Sequence, residues 1–140
     1  MRVLIDTNVL LDVLANRPGL VDASKKIWQM CEVSAMEGFV CSLSIVNISN
    51  ILRKTLTPES VREIIEKMDL IFSLKDLKPA DLKKATKLSF SDYEDAVQAA
   101  CAQRIKAQYI VTRNIKDFRN SPIPAMKPEE VIERYAIDGL

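Results

Sequence analysis

The chain has 140 residues, enough for one compact domain with its own core and too few for two. Apolar residues make up 48%, and 20 Lys plus Arg stand against 19 Asp plus Glu, which excludes a disordered chain and a strongly basic nucleic-acid binder, though not a local basic patch. The chain has no histidine, which excludes Ser-His-Asp and Cys-His nucleophilic triads and leaves a zinc site almost no ligands.

Residues 2–6 read as a continuous apolar strand, the pattern of a strand covered on both faces, and it stops at Asp6. "VLLDVLAN" follows as a short helix with Asn8 as its cap and Asp12 as a solvated residue within it. Residues 20–37 read as a helix with Ile27, Met30, Cys31 and Ser34 along one face, ended by Gly38. Trp28, Met30 and Met36 read as core or ordinary surface. "FVCSL" is a second buried strand, and "SIVNISNILRKTL" a helix with Ile45, Ile48, Ile51 and Leu52 at helical spacing. Pro58 opens "PESVREIIEKMD", and "LIFSL" is a third strand. "PADLKKATKL" is a short helix, "SDYEDAVQAACAQRIKAQ" a long one, and "YIV" a fourth strand. "PIPAM" is a fifth strand that its prolines confine to a sheet edge, and "KPEEVIERYA" is the last helix.

Strands alternating with helices predict an α/β fold, a mainly parallel sheet of about five strands with helices on both faces. The expectation is a single domain over 1–140. Cys31, Cys41 and Cys101 lack metal-ligand spacing and read as buried free thiols of a reducing cytosol. Gly19, Gly38 and Gly139 are scattered and form no phosphate loop. Neither a signal peptide nor an apolar run of ~20 residues is visible, so a soluble, cytoplasmic protein without a membrane partner is expected.

In a parallel α/β sheet, functional groups gather beyond the carboxyl ends of the strands. Asp6, Thr7 and Asn8 follow the first strand. Ser42, Ser44 and Asn47 follow the second. Thr112, Arg113, Asn114 and Asp117 follow the fourth. At the start of the long helix, Ser91 and Glu94 have capping-box spacing, which makes Asp92 the first helical residue and puts Asp95 ~60° round the helix from it. Each acid alone has an ordinary explanation, such as a first-turn charge on the helix dipole. Together Asp6, Asp92, Asp95 and Asp117 map to one end of the sheet. Clustered carboxylates need a cation, and an all-oxygen site suits Mg²⁺ or Mn²⁺, which can activate water for phosphodiester cleavage.

"VLIDTNVLLD", "SLSIVNISNILRK", "FSDYEDAVQAA" and "YIVTRNIKDF", in that order along nearly the whole chain, resemble the PIN-domain family. The resemblance implies a Rossmann-like three-layer α/β/α fold and an Mg²⁺- or Mn²⁺-dependent endoribonuclease acting on RNA. It is similar in particular to toxins of VapBC-type toxin–antitoxin pairs, which implies an antitoxin partner and a homodimer. Carried over by motif, Asp6 matches the first family acid and Asp95 the acid at the start of the long helix, with Asp92 beside it. The catalytic and metal-ligating set is then Asp6, Asp92, Asp95 and Asp117. Thr7, Asn8, Asn47, Thr112 and Asn114 are auxiliary polar residues, and Arg113, Lys116, Arg119, Arg53 and Lys54 are phosphate contacts. Two positions depart from the family pattern. Asn47 stands where the middle helix usually has a glutamate, and Asn114 stands in "TRN" where the usual motif is "TRD". These departures are the basis of an alternative, a catalytically weakened module that binds nucleic acid or a protein without cleavage. An aspartyl phosphatase also puts Asp at the end of its first strand, but it needs a second Asp where this chain has Asn8.

Overall fold

The computed structural model describes residues 1–138; Gly139 lies outside the described residues. In chain order the elements are β1 (Arg2–Ile5), α1 (Thr7–Leu14), α2 (Val21–Glu32), β2 (Glu37–Cys41), α3 (Ser42–Leu52) and α4 (Pro58–Ile71), then β3 (Ser73–Lys75), α5 (Pro79–Ala85), α6 (Tyr93–Arg104) and β4 (Tyr109–Val111). A 3-10 turn at Ile115–Phe118, β5 (Ala125–Met126) and α7 (Pro128–Asp138) complete the chain. The strands form one sheet in the order β3-β2-β1-β4-β5, and every pairing is parallel.

Alternation along β1 holds two helical layers. Val3 and Ile5 pack with α1, α2, α3, α4 and α7 on one face, including Leu10, Ile27, Ile48, Met68 and Val131. Leu4 points the other way and packs with Ala99, Cys101 and Ala102 of α6. All three β1 side chains are fully buried, each worth roughly 1.5–3 kcal/mol of apolar transfer. The alanines of α6 keep that helix close to the sheet. The three cysteines are free and buried. Among the described residues no helix is long and apolar enough to cross a membrane.

Some local expectations fail, each for a physical reason. α2 ends at Glu32, and Ser34 makes the exit with a positive φ of 60°. Gly38 therefore stops nothing. It lies inside β2, where an added Cβ would meet Cys31 Sγ at 2.6 Å and Phe72 Cδ1 at 2.9 Å. α4 runs on to Ile71, so "LI" of the expected third strand is helical and β3 begins at Ser73. Asp12 is fully buried and not solvated, with Arg113 Nε 2.9 Å from Oδ2, Arg17 Nη1 3.4 Å from Oδ1, and Ser24 Oγ donating to Oδ2 at 2.9 Å. Met30 and Met36 are core residues, and half-buried Trp28 stacks edge-on against Phe72.

Candidate active site

The chain lays β2 and then β3 on one side of β1 and crosses back to lay β4 and β5 on the other, so the strand order reverses between β1 and β4. The crevice beyond the carboxyl ends of β1 and β4 is therefore the natural ligand site of this topology. Asp6 and Thr112 are the residues that leave those two strands, and they meet there. Thr112 Oγ1 donates to Asp6 Oδ2 at 2.9 Å, and the Asp6 amide donates to the Val111 carbonyl. Asp6 Oδ1 accepts from the Thr7 amide at 2.8 Å. Asp6, not Asn8, is thus the cap of α1. The cap fixes the carboxylate at the crevice floor, only 4% exposed.

The cavity above it measures about 380 Å³ and is lined by Asp6, Asp92, Glu94, Asp95 and Asp117 with Thr7, Asn8, Asn47, Asn114 and Gln98. Asp92 caps α6 through Oδ1, which accepts from the Glu94 amide at 2.8 Å and the Asp95 amide at 3.3 Å. Helix α6 accordingly starts at Tyr93, one residue later than the Ser91 cap implied. That shift frees Glu94 from a capping-box role. Its Oε2 instead accepts from Asn47 Nδ2 of α3 at 3.4 Å. Asn50 and Ile51 extend the same wall along α3.

Burial pushes the Asp6 carboxyl upward, against the hydrogen bonds from Thr112 and Thr7 and the positive charge of Arg113. Asp95 is pushed up to about 7, first by burial and then by the negative charge of Asp6, Asp92, Asp117 and Glu94. Among the described residues no Lys or Arg lines this cavity. Arg113, whose charge acts on Asp6, is paired with Asp12.

The donor set fits a hard divalent cation. It is all oxygen, it carries uncompensated negative charge, and Gln98 Oε1 is a buried acceptor with no partner. Among the described residues no three His, Cys, Asp or Glu side chains stand close enough to enclose a metal by themselves. Mg²⁺ characteristically keeps several waters and takes the rest of its ligands from one or two carboxylates and phosphate oxygens, so such a spread set is the kind it uses.

Asn114 and Asp117 also line a second cavity, with Arg113, Lys116, Lys127 and Glu130. Acidic and basic surfaces thus adjoin across the turn Ile115–Phe118. Arg119 lies further round the turn and lines neither cavity. Arg53 and Lys54 are exposed just beyond Ile51, at the end of α3. Of the residues singled out in the sequence, the eight that line the acidic cavity are Asp6, Thr7, Asn8, Asn47, Asp92, Asp95, Asn114 and Asp117; Glu94, Asn50, Gln98 and Lys127 are additions made by the fold. The signal for Glu94 was present: Asp92 is as good a cap as Ser91, and choosing it moves Glu94 off the box position.

Residues 2–116 match the family model for the PIN domain. The chain superimposes on VapBC2 from Rickettsia felis bound to a promoter DNA fragment, with a TM-score of 0.71 and 15% identity, over 91% of this chain and 98% of that one. DNA-bound VapBC from Salmonella typhimurium gives a TM-score of 0.71 and 16% identity over the same shares. A toxin–antitoxin complex from Klebsiella pneumoniae gives 0.65 and 20%, over 90% of this chain and 97% of that one. No curated protein sequence matches the chain.

Proposed function

This chain belongs to the PIN-domain family, and from that premise we propose that it is a divalent-metal-dependent endoribonuclease, the toxin of a toxin–antitoxin pair. The observation that carries the reading is the cavity at the carboxyl ends of β1 and β4, lined by five acids and, among the described residues, no Lys or Arg. Five carboxylates lining one cavity repel one another, and a cation among them would relieve that repulsion.

Asp6 and Asp95 are the residues that would hold Mg²⁺ or Mn²⁺, with Asp92 and Asp117 beside them. The ion, when bound, would supply charge neutralisation and an activated water for attack on phosphorus. Thr112 and the Thr7 amide hold Asp6 in one orientation, so its remaining lone pairs face the crevice. In the metal-free chain burial and the surrounding acids push the Asp95 carboxyl up to about 7, and a bound cation would lower it again and keep it as a carboxylate ligand. Lys116, Lys127 and the exposed edge of Arg113 line the adjoining cavity and would contact phosphates of the RNA strand on either side of the scissile bond. Arg119, Arg53 and Lys54 would make outer phosphate contacts.

The antitoxin reading rests on the toxin–antitoxin complex among the structural neighbours and on exposed Val46, Ile51 and Leu56 along and beyond α3, 58%, 43% and 38% exposed, with Ile51 at the cavity wall. A partner segment seated there would cover the acids. The homodimer and the cytoplasmic location are carried over from the family on the same basis.

Purified protein with single-stranded RNA tests the function. The expected result is cleavage with Mn²⁺ or Mg²⁺, none with EDTA, and a loss of about 10³-fold or more in Asp6→Asn. Wild-type protein that binds RNA but neither binds Mn²⁺ nor cleaves would favour the weakened module that Asn47 and Asn114 suggest.

A further inference from the structure

Resting on that reading, we propose that Glu94 and Gln98, one turn apart on α6, supply the oxygen donors that α3 lacks at Asn47. The divalent cation is then held from β1 and α6, with α3 only steering Glu94. Two independent observations support this. The first is the Glu94–Asn47 contact. Glu94 Oε2 accepts from Asn47 Nδ2 at 3.4 Å, so a carboxylate from α6 stands against α3 at the cavity wall. Asn is what this arrangement needs there. A glutamate at 47 would face Glu94 as a like charge, whereas the Asn amide donates to it.

The second is Gln98. Its side chain is 3% exposed and lines the acidic cavity. Nε2 donates to Ser44 Oγ at 2.7 Å, and Ser44 Oγ also accepts from Thr7 Oγ1 at 2.8 Å. That chain ties the amide to the residue after Asp6. Its other end, Oε1, has no hydrogen-bond partner. Leaving a buried acceptor unpaired is costly, and a cation is one group that would satisfy it. Gln98 follows Glu94 by four residues and Asp95 by three, so all three project from one stripe of α6. A neutral amide oxygen suits the place: it adds a ligand without adding to the repulsion already gathered around Asp95.

The test is Mn²⁺ binding to the full chain by calorimetry, with thermal melts as a folding control and RNA cleavage measured alongside. Glu94→Gln should weaken Mn²⁺ by about tenfold or more, and Gln98→Met by about threefold or more, while Asn47→Ala changes it by less than about threefold. Asn47→Asp placed in the Glu94→Gln background should recover most of the lost affinity, a rescue that a merely structural role for Glu94 would not give. The inference is overturned, and the nuclease reading kept, if Asp6→Asn abolishes binding while Glu94→Gln and Gln98→Met both stay within about twofold of wild type. Wild type that binds no Mn²⁺ overturns both.

Discussion

Asp81 and Asp6 are equally hidden carboxylates, 2% and 4% exposed, in opposite surroundings. Asp81 sits between α5 and α6 with Arg104 Nε at 2.9 Å from Oδ1 and 3.1 Å from Oδ2, and it accepts from the Lys78 amide at 3.0 Å. Burial works to raise its carboxyl, and Arg104 and the Lys78 amide outweigh it and hold it below the ordinary range. Asp12 is treated alike, with Arg17 and Arg113 as its counterions. Asp6 has hydroxyl and amide donors, no ion pair, and three more aspartates and a glutamate around the same cavity. The fold is able to neutralise a buried acid, and does so twice. At the crevice it gathers acids without neutralising them. On the nuclease reading, the difference separates carboxylates that hold the structure from carboxylates kept for a cation.

The comparison breaks most sharply if arginine is removed from the structural side. Arg104→Met leaves Asp81 buried with the Lys78 amide but no counterion, which should cost about 3 kcal/mol of stability. A urea melt measures it, and RNA cleavage per folded molecule should stay near wild type. Next in size is the pH dependence, where the two regions carry opposite signs. Burial and the neighbouring acids push the Asp95 carboxyl of the metal-free folded chain up to about 7 from an ordinary value of 3.8. Between those values the folded protein keeps a proton that the unfolded chain has lost. Its contribution is therefore fully present below pH 3.8 and is lost as pH rises through about 7. Asp81 is lowered, so its contribution is present above 3.8 and is lost on acidification through its folded value. Melting curves of metal-free protein should thus lose stability from pH 4 to 7 in wild type and lose less in Asp95→Asn, while Asp81→Asn should leave that slope unchanged. The smallest effect belongs to the basic rim. Lys116→Ala and Lys127→Ala should each weaken RNA binding for all sequences alike and lower the salt slope by about 1, leaving Mn²⁺ affinity unaltered.

What the sequence discloses follows how local the cause is. β1, β2 and β4 are legible because an apolar run needs no partner to declare itself, and Asp6 and Asp95 because strand ends and helix starts are local features. The edge position of β5 is legible from Pro122 and Pro124 just ahead of it, although the strand itself is only Ala125–Met126. Asp12 is misread because the closer of its two arginines, Arg113, comes from the loop after β4, far along the chain, and Ser24 reaches it from α2. Glu94 is misread because Ser91 and Asp92 are competing caps one residue apart, and the choice decides whether Glu94 bonds its own helix or reaches Asn47. Gln98 gives no warning of a role, since one amide in an alanine-rich helix reads as a tolerated polar residue. Its meaning appears only when Ser44 and Thr7 are placed against it. Gly38 suggests a helix stop, and its cause is a crowded approach of β2 to Cys31 and Phe72.

The most direct test of the central claim is anomalous diffraction from crystals soaked in Mn²⁺. The account predicts an Mn²⁺ peak in the crevice, within bonding distance of Asp6 and Asp95 and near Glu94 and Gln98, with none at Asp81 or Asp12. Crystals that show no peak in the crevice at saturating Mn²⁺, or a peak only at the arginine-paired acids, would contradict it.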